Sequence, residues 1–391
     1  MGVRFGFALL ALWAGAAGAF WRPAHTVLVV LENSSFEDVI GNPDMPFLNA
    51  LAAQGALMTR SGFAALPYGA APPGEAAPLP ARPSQPNYLY LFSGHHQGVT
   101  PSSFQAAGLP DHPLGVARRD ARGAPLPRPI AGTRVGIGNA MIPASWRPLA
   151  TPNLGAALIE AGASFASFSE SLPHPLYDDA NDPVPLRDSY RRKHNPAINW
   201  VNLSGRAIAP ALKRFVLPAG VNLGFAETVD PEGRRYPGFA VDENGLARGF
   251  ERLPAVALVV PDERHDLHSG SAAEGDAWLA ANIGPYARWA RDNDSLLIVT
   301  FDEAGNDPSR PRIATFFHGP PARVHPGRYP EPIDHLNVLA TILERYGAID
   351  RFRRDFRAAY GDAPEALREL ANLRSIRDVF GEGPALEALG R

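Results

Sequence analysis

Four stretches of the chain are apolar along almost their whole length and end in polar residues. They are short, rich in β-branched side chains, and read TVLVVLEN (26–33), PAVALVVPDE (254–263), SLLIVTFDE (295–303) and RIATFFHG (312–319). A strand that is apolar at every position, rather than at alternate positions, is typical of a parallel sheet covered on both faces. The pattern therefore predicts four buried strands in a mostly parallel central sheet.

Between these strands, apolar residues recur at the spacing of one helical face. Helices are predicted over 46–55, over 153–162, where Asn153 can cap the first turn, and over 335–347, where Gly347 ends the pattern. Strands and helices that alternate along a chain form a layered structure with a central sheet. The sequence thus predicts a doubly wound α/β fold with helices on both faces of the sheet.

The composition narrows the class of protein. The chain has 391 residues, of which 45% are hydrophobic and 20% charged, so it can form a large core. Its 37 basic and 40 acidic side chains give a net charge of −3, so neither nucleic acid binding nor attraction to anionic lipid is expected. The absence of cysteine excludes disulfides and thiolate metal ligands.

The first residues resemble an export signal. One arginine precedes an apolar stretch, and small residues follow it with an A-x-A arrangement that ends at Ala19. A membrane-anchoring helix is the alternative, but the apolar stretch is short and interrupted by glycine. We expect a signal peptide over 1–19, a mature chain without stable membrane insertion, and a periplasmic or secreted location.

Polar side chains follow three of the predicted strands. The first strand ends in Glu32 and Asn33, the third in Asp302 and Glu303, and the second leads into the segment 262–268. Ligands in open parallel sheets bind beyond the carboxyl ends of the strands, where these residues would meet. Any one pair can simply cap the next helix, but together they provide the oxygen and imidazole donors of a divalent cation site.

Ser84 lies in the segment RPSQPNYLYLFSGHHQG (82–98), in front of an aromatic and leucine-rich run. With Pro86 in the first turn, the run predicts a helix that begins at or just after Ser84. The N-terminus of a helix stabilises an anion, either a serine alkoxide or a bound phosphate. Ser84 is therefore a helix-capping residue, a nucleophile activated by a base or a metal, or both.

The histidines have structural alternatives. His265 and His268 can face one site or solvent, His335 can belong to a helix cap, and His194 can lie in a surface turn. The pair His95 and His96 follows Gly94, and we interpret it as exposed loop residues without a role at the site. Beside a serine and the oxygen ligands, the first four histidines become candidates for catalysis.

Taken together, the motifs resemble a known family. VVLENSSFEDVIG, RPSQPNYLYLFSG, YRRKHNP, VPDERHDLHSG, IVTFDEAGND and EPIDHLNVLATILERYG occur in that order from about Thr26 to about Gly347. They are similar to the bacterial phosphoesterase family that contains acid phosphatases and phosphatidylcholine-type phospholipase C enzymes, within the alkaline-phosphatase-like superfamily. The resemblance implies one catalytic domain over 20–391 and a small phosphate ester as substrate.

The resemblance also implies roles for individual residues. It makes Ser84 a nucleophile that is transiently phosphorylated, with His265, His268 and His335 as further catalytic residues. The remaining residues would hold a divalent metal ion of unknown identity or the phosphate group. The implied metal ligands are Glu32, Asn33, Ser84, Asp302 and Glu303, and the implied substrate-binding residues are Asn87, His194 and Arg82.

The chain departs from the family pattern at two positions. Arg82 replaces a histidine that often precedes the PS of the motif, so Arg82 is either a phosphate clamp or a surface residue. Ser269 replaces a common aspartate after His268.

An acid phosphatase is the leading prediction and a phospholipase C the second, because little sequence follows Gly347 that would form the additional domains of a phospholipase C. A non-catalytic binding protein on the same fold is the third alternative.

Overall fold

The structure is a computed structural model that describes residues 20–64, 84–97, 147–177, 190–203, 205–242, 244–246, 249–305, 307 and 309–382. The predicted signal peptide over 1–19 and the candidate clamp Arg82 lie outside these ranges. Across the described ranges, no helix combines the length and the apolar character that a membrane span requires.

Most of the strands form one sheet. Their bounds are β1 Thr26–Leu31, β2 Ala56–Ser61, β3 Phe165–Ser169, β4 Asn222–Gly224, β5 Thr228–Val229, β6 Arg235–Tyr236, β7 Val256–Val260, β8 Leu296–Phe301, β9 Ile313–His318 and β10 Gly327–Ile333. The sheet has eight strands in the order β10-β2-β9-β8-β1-β7-β3-β4, and β5 pairs separately with β6. All neighbours in the large sheet are parallel except β9, which is antiparallel to both β2 and β8. The prediction of a mostly parallel α/β sheet is therefore confirmed.

Helices cover both faces of this sheet. Their bounds are α1 Phe36–Val39, α2 Pro46–Gln54, α3 Ser84–Ser93, α4 Leu154–Glu160, α5 Ala272–Asn282, α6 Gly284–Asp292, α7 His335–Arg345, α8 Ile349–Tyr360 and α9 Pro364–Asn372. Short 3₁₀ segments, such as Arg192–His194, lie in the connections. The three helices predicted from spacing correspond to α2, α4 and α7, and Asn153 caps α4 by accepting a hydrogen bond from the N–H of Ala156.

Strand β1 shows why the apolar stretches are continuous. Leu28 and Val30 belong to one core, together with residues of α3, α4, α7 and α8. Val27 and Val29 belong to a second core on the opposite face, with residues of α2, α5 and α6. Successive side chains of a strand point to opposite faces, so a strand with a core on each side is apolar at every position.

Candidate active site

Three neighbouring strands bring the predicted polar residues together. Strand β1 lies between β8 and β7, parallel to both, so the carboxyl ends of the three strands meet at one edge of the sheet. Glu32 follows β1, Asp302 follows β8, and Asp266 lies in the turn after β7. The backbone N–H of Glu32 donates to the carbonyl of Asp266 at 2.7 Å, which ties that turn to the end of β1.

Ser84 contacts this edge from the other side. It is the first residue of α3, as the position of Pro86 predicted, and its side chain is buried. Its Oγ donates a hydrogen bond to Oε2 of Glu32 at 2.9 Å. The hydroxyl therefore lies both at the positive end of a helix and beside a carboxylate that can accept its proton.

Asn33 and Asp302 fix each other at the centre of the edge. Oδ1 of Asp302 accepts the backbone N–H of Asn33 at 3.0 Å and that of Glu303 at 2.6 Å. Asn33 has a φ of 48°, a left-handed conformation that asparagine tolerates better than most residues. Its Nδ2 donates to Glu32 at 3.1 Å. The unusual backbone thus directs two donors of Asn33 towards two carboxylates.

Asn87 connects the first turn of α3 to Glu303. Its Nδ2 donates to Oε2 of Glu303 at 3.1 Å, and both side chains are buried. Ser84 and Asn87 are three residues apart, so they lie on the same face of the helix. The helix therefore presents a hydroxyl to the carboxylate after β1 and an amide to a carboxylate after β8.

His194 is buried between two of the carboxylates. Its Nε2 lies 3.3 Å from Oε1 of Glu32, and its Nδ1 lies 3.4 Å from Oδ2 of Asp266. The ring stacks on Tyr88 at a centroid distance of 5.3 Å. Burial lowers the pKa of His194 well below its usual range, and Lys193 adds to the shift. The imidazole is then neutral near pH 7 and carries one N–H, so it cannot compensate the charges of both carboxylates.

The carboxylates of Glu32, Asp266 and Asp302 are buried close together, so they repel one another. Burial raises the pKa of Glu32 and of Asp266 well above the usual carboxyl range, and the charge of Asp302 adds to both shifts. Burial also raises the pKa of Asp302 to about 6. The hydrogen bonds from the backbone N–H groups of Asn33 and Glu303 lower this pKa and so offset part of the effect of burial. Such a group of buried negative charges requires a compensating cation or protons.

The donor atoms fit a divalent cation. Within the described part of the chain, Oε1 of Glu32, Oδ2 of Asp266 and Oδ2 of Asp302 are buried and accept no hydrogen bond. One ligand atom each of Glu32, His194 and Asp266 also lies within 4.8 Å of the others. Carboxylate oxygens with a neutral imidazole suit magnesium, calcium, manganese, iron or zinc. The buried residues thus form a cluster that can bind a metal ion.

A second polar group surrounds His265. Its Nδ1 lies 2.9 Å from Oε2 of Glu170 and 3.2 Å from Oδ1 of Asp262. Oε1 of Glu170 accepts the indole N–H of Trp278 at 2.8 Å, and the His265 ring stacks on the indole. Burial raises the pKa of Glu170, and the charge of Asp262 adds to the shift. Glu170 therefore fixes the orientation of His265.

His268 is more accessible than the other predicted histidines. Its side chain is 33% exposed, its Nδ1 lies 3.8 Å from Oε1 of Glu263, and its ring centroid lies 5.9 Å from that of His194. Leu267, immediately before it, has a φ of 83°, which is strained for a bulky side chain. The turn is thus held in a shape that places His268 at the rim of the carboxylate group.

His335 has a different environment. Its Nε2 donates to the carbonyl of Phe301 at 2.8 Å, and its Nδ1 accepts the N–H of Ala64 at 3.4 Å. Burial lowers its pKa to about 4. Both ring nitrogens are thus engaged by backbone groups, and the ring bridges the end of β8 and Ala64.

The histidine pair 95 and 96 was wrongly interpreted as exposed. The side chains of His95 and His96 are buried, with residue exposures of 7% and 2%. Helices α8 and α9 cover them, and Nδ1 of His95 lies 2.8 Å from Oε2 of Glu369 on α9. A contact between residues so far apart in the chain is not visible in the local pattern that predicted a loop.

Two residues of the site were not singled out from the sequence. Asp266 was noted only as part of the strand-end segment, although it lies beside His194 and Glu32. Glu170 was missed because strand β3 was not recognised: FASFS has no continuous aliphatic run. Its signal was the same as for the other strands, namely an acidic residue that directly follows a short strand.

Solved structures of low similarity cover most of the chain. A phosphonate monoester hydrolase from Silicibacter pomeroyi is 12% identical, covers 94% of this chain and 78% of its own, and has a TM-score of 0.40. A protein of the alkaline phosphatase superfamily from Vibrio parahaemolyticus is 12% identical, covers 84% of this chain and 67% of its own, and also has a TM-score of 0.40.

A family model and a relative also match the sequence of the chain. Residues 247–348 match the model of the phosphoesterase family. A phosphatidylinositol-3-phosphatase of Mycobacterium tuberculosis is 34% identical over 346 residues, which cover 87% of this chain and 84% of the relative. The chain therefore belongs to the phosphoesterase family of hydrolases that act on phosphoric esters.

Proposed function

We propose that the chain is a metal-dependent phosphomonoesterase of the acid phosphatase kind, in which Ser84 is transiently phosphorylated. The observation that carries the proposal is the 2.9 Å hydrogen bond from Oγ of Ser84 to Glu32, at the start of α3 and within a buried group of carboxylates. A serine hydroxyl needs a base or a metal to become a nucleophile, and this geometry supplies both an acceptor and metal ligands.

In the first step, Oγ of Ser84 attacks phosphorus and its proton passes to Glu32. The bond from phosphorus to the leaving oxygen breaks as the bond to Oγ forms, which gives a phosphoserine and an alcohol. The backbone N–H groups at the start of α3 stabilise the negative charge of the phosphoryl group. Water then attacks the phosphoserine, and the bond from phosphorus to Oγ breaks. The proton held by Glu32 returns to Oγ, one proton of the water returns to the histidine that protonated the leaving oxygen, and inorganic phosphate is released.

The metal ion would be held by Glu32, Asn33, Ser84, Asp302 and Glu303. The side chains of His194 and Asp266 border the same space. When bound, the ion would neutralise the carboxylates and lower the pKa of the serine hydroxyl. Asn87 holds Glu303 in position, and the neutral ring of His194 separates Glu32 from Asp266.

We assign the protonation of the leaving oxygen to His268. Its side chain is 33% exposed and its ring centroid lies 5.9 Å from that of His194, whereas the side chain of His265 is 24% exposed and His335 is fully buried. His265 and His335 then orient the site from either side.

The substrate class follows from the same chemistry. A terminal phosphate, with one ester bond, presents oxygens to the metal ligands and to the start of α3 while its alcohol faces the rim. The relative from Mycobacterium tuberculosis is a phosphatidylinositol-3-phosphatase, which supports an inositol lipid monophosphate as one candidate. A phospholipase C would instead cleave the diester of a choline lipid.

The test compares Ser84→Ala with Ser93→Ala, a second buried serine on the same helix whose hydroxyl donates to the carbonyl of Leu89. With p-nitrophenyl phosphate, Ser84→Ala is expected to abolish hydrolysis, whereas Ser93→Ala should retain it. Chelation should remove activity, and a divalent cation should restore it. Acid quenching during turnover should trap a phosphate on the peptide that contains Ser84.

Full activity of Ser84→Ala would exclude it as the nucleophile. Release of phosphocholine from phosphatidylcholine, with no release of phosphate from a monoester, would favour the phospholipase C. If neither substrate is turned over and no metal binds, the chain is a binding protein on this fold.

A further inference from the structure

A second group of metal-ligand side chains lies at the far end of α3. Ser84 begins this helix of 10 residues, and His95 and His96 follow its last residue, Ser93. With a rise of about 1.5 Å per residue, the two ends are roughly 15 Å apart. The histidines are therefore separate from the carboxylate group at Ser84.

The partners of these histidines come from α9. Nδ1 of His95 lies 2.8 Å from Oε2 and 3.1 Å from Oε1 of Glu369, and Nε2 of His96 lies 3.3 Å from Oε1 of Glu365. Glu365 and Glu369 are four residues apart, on one face of the helix. Two imidazoles from one loop thus meet two carboxylates from one helix.

The rings are held in place by their neighbours. The centroids of His95 and His96 are 4.2 Å apart, and the ring of Tyr360 lies 4.2 Å from that of His95. Tyr90 contacts His96 edge-on at 5.8 Å. Aromatic packing on both sides restricts rotation of the imidazoles, which is what a preformed metal site requires.

The distances match a four-coordinate cation. One ligand atom each of His95, His96 and Glu369 lies within 4.8 Å of the others. Bonds of about 2.1 Å in a tetrahedron place ligand atoms roughly 3.4 Å apart, so shifts of about an ångström complete the arrangement. Glu365, whose side chain is 45% exposed, can rotate to supply the fourth ligand.

We propose that His95, His96, Glu369 and Glu365 bind a zinc ion, or a similar transition metal, that joins α9 to the C-terminal end of α3. Imidazole and carboxylate ligands are those of zinc sites without cysteine. Two carboxylates four residues apart on a helix repel each other, and a cation between them reverses that effect. The ion would be structural, because it joins two helices away from Ser84.

The test uses the full chain after removal of metal. Elemental analysis and titration with Co²⁺, whose visible absorption reports four-coordinate binding, are applied to wild type, His96→Gln and Glu369→Gln. His325→Gln, at an exposed position, is the matched control. We expect both site variants to lose one equivalent of metal and the absorption of four-coordinate Co²⁺, whereas His325→Gln keeps them. Zn²⁺ should raise the thermal midpoint of wild type more than that of either site variant.

Two further variants keep the result interpretable. Glu365→Gln changes a partly exposed side chain and should weaken binding without loss of the fold, even if the buried variants unfold. Asp302→Asn alters only the proposed catalytic site, so it should keep the equivalent of metal that His96→Gln loses. This result does not depend on whether the chain proves to be a phosphatase. Equal metal content and equal Co²⁺ spectra in wild type, His96→Gln, Glu369→Gln and Glu365→Gln would overturn the proposal.

Discussion

Oγ of Ser84 lies 2.9 Å from Oε2 of Glu32, although 52 residues separate them in the chain. The contact joins the start of α3 to the end of β1, the strand at the centre of the polar edge. The serine is held by a rigid helix and the carboxylate by a strand that is buried on both faces. Their separation is therefore set by the packing of the core, which is what a pre-organised nucleophile requires.

The first prediction concerns the charge of Glu32. Glu32→Gln keeps the shape of the side chain but removes one of several buried negative charges and the acceptor for the Ser84 proton. We expect phosphatase activity to fall by at least about 100-fold, whereas the metal-free chain becomes more stable to denaturant at pH 7. Activity assays and urea unfolding of the metal-free protein measure the two effects.

Glu251→Gln is the control for this comparison, since it removes an exposed carboxylate elsewhere on the surface. It is expected to change neither property beyond experimental error. A Glu32→Gln chain that is less stable than wild type without metal would contradict the repulsion that we infer among Glu32, Asp266 and Asp302.

A second prediction concerns the orientation of His265. Oε2 of Glu170 lies against Nδ1 of His265, and Oε1 accepts the indole N–H of Trp278. In Glu170→Gln, the single amide oxygen cannot accept hydrogen bonds from both His265 and Trp278. The amide NH₂ group therefore faces an N–H group of one of these two rings. We expect phosphatase kcat to fall by roughly 10- to 100-fold, the range for groups that orient site histidines.

Trp278→Phe provides the matched comparison. It removes the indole N–H together with one of the two fused rings, keeps a six-membered aromatic ring on the side of His265, and leaves the carboxyl group of Glu170 in place. Its kcat should stay close to wild type, with the same KM. If both variants lose activity to the same extent, the effect arises from packing around β3 and not from the charge of Glu170.

Part of the arrangement at the polar edge is visible in local patterns of the sequence. The strands β1, β7, β8 and β9 and the start of α3 are visible as apolar runs with polar ends, and the rule for parallel sheets then brings Glu32 and Asp302 together. The direction of β9 was not visible, because burial on both faces looks the same in either orientation. Its antiparallel pairing depends on the connection from β8, which is short.

Other features depend on contacts between distant parts of the chain. His95 and His96 look like loop residues until α8 and α9, more than 250 residues later, cover them. His335 was a candidate for catalysis because of its motif, but its nitrogens contact the backbone of Phe301 and Ala64. Partners of this kind are fixed by tertiary packing, which no local pattern encodes.

The last prediction concerns pH and His335. In the folded chain its pKa is about 4, below the ordinary value of 6.5, because the ring is buried. The unfolded chain therefore takes up the proton first as pH falls. The stability that neutral His335 contributes is fully present above pH 6.5 and is lost as pH falls towards 4. Since one pKa unit corresponds to about 1.4 kcal/mol, the loss approaches about 3 kcal/mol.

The measurement is the free energy of unfolding of wild type and His335→Gln at several values between pH 7 and pH 4. The difference between the two chains should shrink as pH falls, because only wild type loses the contribution of His335. Carboxylates that titrate in this range, such as Asp334 with its pKa raised by burial to about 6, contribute to both chains and cancel in the difference. His318, whose pKa burial also lowers to about 4, should show the same trend in His318→Gln. A difference for His335→Gln that stays constant across this range would contradict the prediction, because it would mean that His335 has the same pKa in the folded and the unfolded chain.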